Sequence, residues 1–141
     1  MAVLRCAVPT PLDHAAAYLA RDELAQSLGI ELLEVDEGTA RGRLPAESQQ
    51  RNGVGSTHGA LIFALADIVL AAACNAYEDP SIGMQVNIAY IERPAEGDLF
   101  AQVEEVSRGG RIAHYTIAVT DARGVEVSRA TAITYIKRAR G

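Results

Sequence analysis

The sequence predicts an α+β domain in which a curved antiparallel sheet wraps one long central helix. Two observations carry this expectation. The run from Ala60 to Tyr77 is almost wholly apolar and holds a single charged residue, Asp67. A helix of that kind belongs inside a domain rather than on its surface. From Ser81 onward the period changes to alternation, broken by turn-forming Arg93-Pro94, Gly97-Asp98, Arg108-Gly109-Gly110-Arg111 and Asp121-Ala122-Arg123-Gly124. Strands joined by such short connections run antiparallel. A sheet of about five strands that curls can enclose one helix.

The 141 residues suit one domain, 1–141, with a proper core. An apolar fraction of 49% and a charged fraction of 22% are those of an ordinary soluble protein. The net charge of −5 argues against a nucleic-acid partner, which calls for a basic surface. Cys6 and Cys74 give neither a disulfide framework nor zinc spacing, so a metal-free protein of the reducing cytoplasm is expected. The first residues are too poor in apolar content for a signal peptide and are broken by Pro9 and Pro11. The run from Ala60 to Tyr77 just reaches the length of a membrane helix, but its alanines and Asp67 argue for burial in a soluble core.

In chain order, residues 12–28 read as one amphipathic helix with a stripe of Leu12, Ala16, Leu19, Leu24 and Leu28, stopped by Gly29. It forms most of an N-terminal helical segment, 1–29. His14 reads as a solvated surface residue. Residues 30–44 read as a strand or strand pair in which Leu33 and Val35 alternate with acids, with Gly38 bending the run. Residues 46–57 form a polar loop. The long helix follows, with Ser56 or Thr57 as its N-cap, and Glu78-Asp79-Pro80 stops it.

Four strands come next. In the first, Ile82, Met84, Val86, Ile88 and Tyr90 share a face. Leu99–Val106 is less regular, and Gly109-Gly110 supplies the positive φ of a hairpin turn before Ile112–Thr120. There Ala113, Tyr115, Ile117 and Val119 share a face, and Val125–Ile136 completes a four-strand meander. Residues 137–141 are a basic tail.

Asn52-Gly53, His58-Gly59-Ala60, Leu65-Ala66-Asp67 with Ala73-Cys74-Asn75, Arg93-Pro94 and Gly97-Asp98 together resemble the hotdog-fold acyl-CoA thioesterases, in their PaaI-like branch. That branch carries the pattern HGGxxxxLAD; here it reads HGALIFALAD, and the similarity spans about residues 30–136. The resemblance implies the fold already reached by pattern and acyl-CoA thioesters as substrates. It implies no cofactor beyond the coenzyme A carried by the substrate. It also implies homodimers joined sheet to sheet with shared active sites, and tetramers as dimers of dimers.

By the same resemblance Asp67 is the nucleophile or general base, and the backbone N–H of Gly59 polarises the thioester carbonyl. Asn52 orients substrate or water. His58 shapes the loop or hydrogen-bonds near the thioester. The start of a helix offers free N–H groups and partial positive charge to an oxyanion. Asp67 lies about 12 Å further along the axis, which suits a site shared across a two-fold axis better than one within a chain.

Asp67 also has a plain alternative reading, as a structural carboxylate satisfied by backbone or by Asn75. Ala60 replaces the second glycine of the motif; it keeps an N–H but adds a methyl. The strand position where relatives place a water-holding hydroxyl falls near Gly83, with Ser81 close but out of register. Arg108 and Arg111, flanking Gly109 and Gly110, suit the phosphates of coenzyme A or are solvated turn residues; Arg93 and the tail Arg138–Arg140 are further candidates.

The expected activity is hydrolysis of an aryl- or medium-chain acyl-CoA. The alternatives are a non-catalytic acyl-CoA-binding module and a hotdog dehydratase or hydratase.

Overall fold

The computed structural model describes residues 6–138. The beginning of the N-terminal segment and Arg140 of the basic tail lie outside the described residues. Six antiparallel strands form one sheet around a central helix, so the expected fold class is the one adopted. In chain order the elements are α1 (Pro11–Leu19), α2 (Glu23–Leu28), β1 (Glu31–Asp36), β2 (Thr39–Leu44), α3 (Gly59–Cys74), β3 (Ser81–Tyr90), β4 (Leu99–Arg108), β5 (Ile112–Thr120) and β6 (Glu126–Ile136).

The single helix expected over 12–28 is two. Asp22 accepts the N–H of Ala25 at 2.9 Å and caps α2, and a residue capping one helix cannot continue another. The buried face is Ala15, Leu19 and Ala25, while Leu12 and Leu24 are exposed. Residues 30–44 are a strand pair, β1 and β2, with a register shift between Leu32 and Glu34. Leu32, not Leu33, therefore packs with Val35 against the core.

The strand order is β1-β2-β4-β5-β6-β3, which corrects the four-strand meander. Only β4, β5 and β6 form a meander; β3 pairs with β6 and takes an edge. The physical reason lies in residues 91–98, which carry the chain across the sheet. That connection exceeds the roughly two to five residues of a hairpin loop. Asp121 anchors it, accepting the Ala95 N–H at 3.0 Å while also holding the N–H groups of Arg123 and Val125 in the β5–β6 turn.

Two further expectations fail locally. The register of β3 shifts between Gly83 and Gln85. Ser81 and Gly83 lie opposite the buried Ile136 and Thr134, whereas Ile82 lies opposite Tyr135 on the other face. Beyond the shift, Val86, Ile88 and Tyr90 face the helix side, opposite Ala132, Ala130 and Ser128. The shared face of five apolar residues is thus broken by a bulge. In the β4–β5 turn neither Gly109 nor Gly110 has a positive φ. A hydrogen bond from the Gly109 N–H to the Ile112 carbonyl, 2.8 Å, closes that turn instead.

The core lies between α3 and the concave face of the sheet, and includes Leu44, Leu65, Val69, Leu70, Leu99, Val103, Tyr115, Ile117 and Val127. Coverage of α3 is not complete. Ala60 and Asp67 are exposed, and Phe63, Ala64 and Ala71 are half-buried. These positions recur at helical spacing and form one open stripe.

Candidate active site

The loop before α3 is built by its own side chains. The Asn52 carboxamide oxygen accepts the N–H groups of Val54 at 3.1 Å and Ser56 at 3.0 Å. The Asn52 N–H returns to the Ser56 carbonyl at 2.8 Å. This is the local turn chemistry that Asn favours. It leaves the carboxamide nitrogen of Asn52 free of partners among the described residues. Thr57 donates its hydroxyl to Gln49, and Gln49 donates to the Gly97 carbonyl, fixing the loop to the β3–β4 connection.

The N-cap of α3 is His58, not Ser56 or Thr57. Its Nδ1 accepts the Ala60 N–H at 3.0 Å. A neutral imidazole accepting at Nδ1 carries its proton on Nε2. The capping bond consumes the Ala60 N–H as an oxyanion donor. The Leu61 N–H is engaged as well, by the His58 carbonyl at 2.9 Å. Among the described residues the Gly59 N–H donates to nothing, so it is the free donor of the first turn. Gly59 opens into a cavity of about 470 Å³ that Asn52, Thr57, Ile62, Tyr90 and Arg93 also line.

Asp67 lines a different space. A pocket of about 150 Å³ is bounded by Tyr18, Asp67, Leu70, Ala71, Cys74, Ser81, Ile82 and Gly83. Partial burial raises the Asp67 carboxyl above its usual range, and the charge of Asp22 adds to the effect. Asn75 does not satisfy Asp67. Its amide nitrogen donates to the carbonyls of Ala71 and Ser81, and its oxygen accepts the Ser81 N–H. Ser81 borders the same pocket, and its buried hydroxyl has no partner among the described residues. Ser81 and Gly83 lie on the same face of β3. Thr134, opposite Gly83, holds another buried hydroxyl with no partner among the described residues.

Asp67 and Gly59 are therefore not brought together within one chain. They lie on one helix, about 12 Å apart along its axis and roughly 80° apart around it, and open into separate spaces. Arg108 and Arg111 are elsewhere again, beyond the C-terminal end of α3. Arg108 stacks on the Tyr77 ring at 3.5 Å and faces Glu105 at 3.7 Å. Glu105 also accepts the hydroxyls of Tyr77 and Tyr115. Arg111 is exposed and donates to the Tyr135 hydroxyl at 3.1 Å. Arg93 donates to the Gly55 carbonyl at 3.1 Å and stiffens the loop. His14 lines two surface grooves near the chain's N-terminal end. Among the described residues no three His, Cys, Asp or Glu side chains are grouped to hold a metal ion, and no helix is long and apolar enough to cross a membrane.

Sequence reasoning missed Tyr18 and Tyr90 as site residues. Tyr18 falls within a helical stretch, and nothing in the chain links it to Asp67. Tyr90 stands as one member of an apolar strand face.

A family model described as a domain of unknown function (DUF4442) matches residues 15–136. The acyl-coenzyme A thioesterase PaaI of Escherichia coli (strain K12) is 31% identical over 99 residues, 70% of this chain and 71% of that protein. The chain belongs to the hotdog-fold thioesterase superfamily. The solved structure of the E. coli PaaI protein superposes with a TM-score of 0.83 at 24% identity, covering 92% of this chain and 94% of that one. A variant of the phenylacetic acid degradation protein PaaI of Thermus thermophilus gives 0.74 at 25% identity, covering 79% and 96%. The chain is thus a member of a family of thioester hydrolases, and the hotdog architecture is shared over most of its length.

Proposed function

We propose that the chain hydrolyses acyl-CoA thioesters with an aryl or medium-chain acyl group, at a site completed by a second copy of itself. The observation that carries this is the separation of Asp67 from the free Gly59 N–H, combined with the open stripe of α3 that lies between them. Pairing two chains along the unpartnered edge of β3 would cover Phe63 and Ala64 and bring Asp67 of one copy toward Gly59 of the other. A dimer of dimers follows the same family logic.

In this reading the Gly59 N–H holds the thioester oxygen and the negative charge it acquires. Asp67 acts as general base. It takes a proton from a water as the water oxygen attacks the carbonyl carbon. The carbon–sulfur bond then breaks, and Asp67 returns the proton to the departing thiolate, leaving free acid and coenzyme A. No cofactor enters this balance. We assign the hold on that water to Ser81, a residue of the pocket that Asp67 lines, whose buried hydroxyl is unpartnered among the described residues. Asn52, with its amide nitrogen free, orients the substrate, and His58 acts through the loop by capping α3.

The Asp67 pocket of about 150 Å³ matches in volume a cavity that holds benzene. The part of the site that one chain supplies thus suits an aryl ring, and a second copy would add to the space. For the phosphates of coenzyme A we retain Arg111, since the cationic face of Arg108 is committed to Tyr77 and Glu105. Cys6 and Cys74 are both free thiols, which suits a reducing cytoplasm.

The test is a panel of acyl-CoAs with wild type and Asp67→Asn. The expected result is hydrolysis by wild type and a loss of about 100-fold or more in the variant. Equal rates would overturn the role of Asp67. Binding of the thioesters without hydrolysis by either protein would make the chain an acyl-CoA-binding module. Rapid quenching with hydroxylamine separates the routes: a mixed anhydride on Asp67 is trapped as a hydroxamate, and ¹⁸O from water enters the Asp67 carboxylate if that anhydride opens at the aspartyl carbonyl, whereas a general base gives neither.

A further inference from the structure

We infer that Tyr90 is a positioning residue that sets the direction of the Gly59 N–H, an inference that rests on the role proposed for Gly59. Tyr90 lies at the end of β3 on its helix-facing side, opposite the buried Ser128. Its hydroxyl donates to the Gly59 carbonyl at 3.2 Å. Its ring lies against the Gly59 α-carbon: a methyl group added there would sit 3.3 Å from Cε1 and 3.4 Å from Cζ.

The Gly59 carbonyl belongs to the peptide that joins Gly59 to Ala60. The N–H of that same peptide is taken by His58 Nδ1 at 3.0 Å. One peptide plane is thus gripped at both polar ends, by Tyr90 from the sheet and by His58 from the loop. Gripping a plane at two ends restricts its rotation about the flanking bonds. The preceding peptide, which carries the Gly59 N–H, is held at its other end, where the His58 carbonyl accepts the Leu61 N–H at 2.9 Å and the Ile62 N–H at 3.4 Å, and it meets the gripped peptide at the Gly59 α-carbon. Glycine is the residue most free to turn at that α-carbon, so the direction of the donor depends on both peptides being held.

The chemistry needs that restraint. An oxyanion donor is effective when it is aimed before charge develops and does not reorganise during reaction. The first carbonyls of a helix also accept bonds from N–H groups a turn further on. Tyr90 adds a donor from outside the helix, on β3, the strand whose free edge is the proposed meeting line of two copies. The donor of the site is therefore referenced to the sheet as well as to its own helix.

The experiment uses full-length Tyr90→Phe, which keeps the ring and removes only the hydroxyl. Kinetics are read on the best substrate of the panel, and the Gly59 and Ala60 amides by ¹H–¹⁵N NMR. A kcat lower by about fivefold with KM unchanged is expected, the equivalent of one typical hydrogen bond. Shifted Gly59 and Ala60 amide resonances are expected with it. A wild-type kcat with unmoved amides would overturn the inference. So would a change confined to KM, which marks a residue that only touches substrate. Asp67→Asn run alongside keeps the two readings apart: if it hydrolyses as well as wild type, the catalytic reading has failed. The amide resonances still decide whether Tyr90 holds Gly59.

Discussion

Asp121 and Asp67 show how one residue type takes opposite roles by environment. The Asp121 side chain is buried in the β5–β6 turn. It accepts two bonds from the Arg123 guanidinium, and N–H groups of Ala95, Arg123 and Val125. The Arg123 guanidinium, with these N–H groups, holds its carboxyl well below the usual range. A depressed folded value gives stability that is present above the ordinary carboxylate value and lost as pH falls toward the folded one. Asp121→Ala should lower stability by about 1–3 kcal/mol at neutral pH. In urea titrations the gap from wild type should narrow below about pH 4. Asp67 is shifted the other way, by partial burial and then by Asp22. The acid limb of kcat/KM should therefore lie above about pH 3.9. Asp22→Asn should move that limb to lower pH while preserving α2, because Asn also caps helices well. A limb that stays put would remove Asp22 from the electrostatics of the site.

At the scale of elements, β2 crosses α3 so closely that Gly42 has no room for a side chain. A methyl there would lie 2.5 Å from Val69 Cγ2. Gly42→Ala should cost about 1–3 kcal/mol by overpacking, read as a lower Tm. Adding Val69→Ala should recover part of the loss, and an additive double mutant would place the strain elsewhere. The boundaries of these elements were unevenly legible. β5 is regular, and its buried face of Ala113, Tyr115, Ile117 and Val119 stands in the alternation. β1 and β3 each carry a register shift that moves half their side chains to the other face. A bulge adds one residue without changing composition, so a period of two read along the chain runs straight through it. The N-cap of α3 was misplaced because Ser56 and Thr57 outrank histidine as caps. Here the Thr57 hydroxyl is spent on Gln49 and the cap passes to His58.

For the whole molecule, the open stripe of α3 is the feature with consequences. Phe63 is half-buried beside the exposed Asp67. Phe63→Asp should leave the circular dichroism spectrum of the chain intact, since little of the core depends on it. In sedimentation equilibrium it should shift a dimer or tetramer toward monomer, and hydrolysis should fall with association. A wild type that sediments as a stable monomer, or a monomeric variant with full activity, would sink the shared site.

The sequence by itself determined the central helix, the antiparallel sheet, and the candidacy of Asn52, His58, Gly59 and Asp67. Each of these rests on local signals: an apolar run with one carboxylate, alternation between turns, and a short motif at a helix start. Only the tertiary structure decided that β3 crosses to β6, that Tyr18 and Ser81 border Asp67, and that Tyr90 grips Gly59. These are contacts between residues far apart in the chain. They depend on strand order and on bulge register, and neither leaves a periodic trace in the residues themselves. Asp67 began as an expensive charge in an apolar helix; in the folded chain it stands on an open stripe, where solvent reaches it and a second copy has room to cover it.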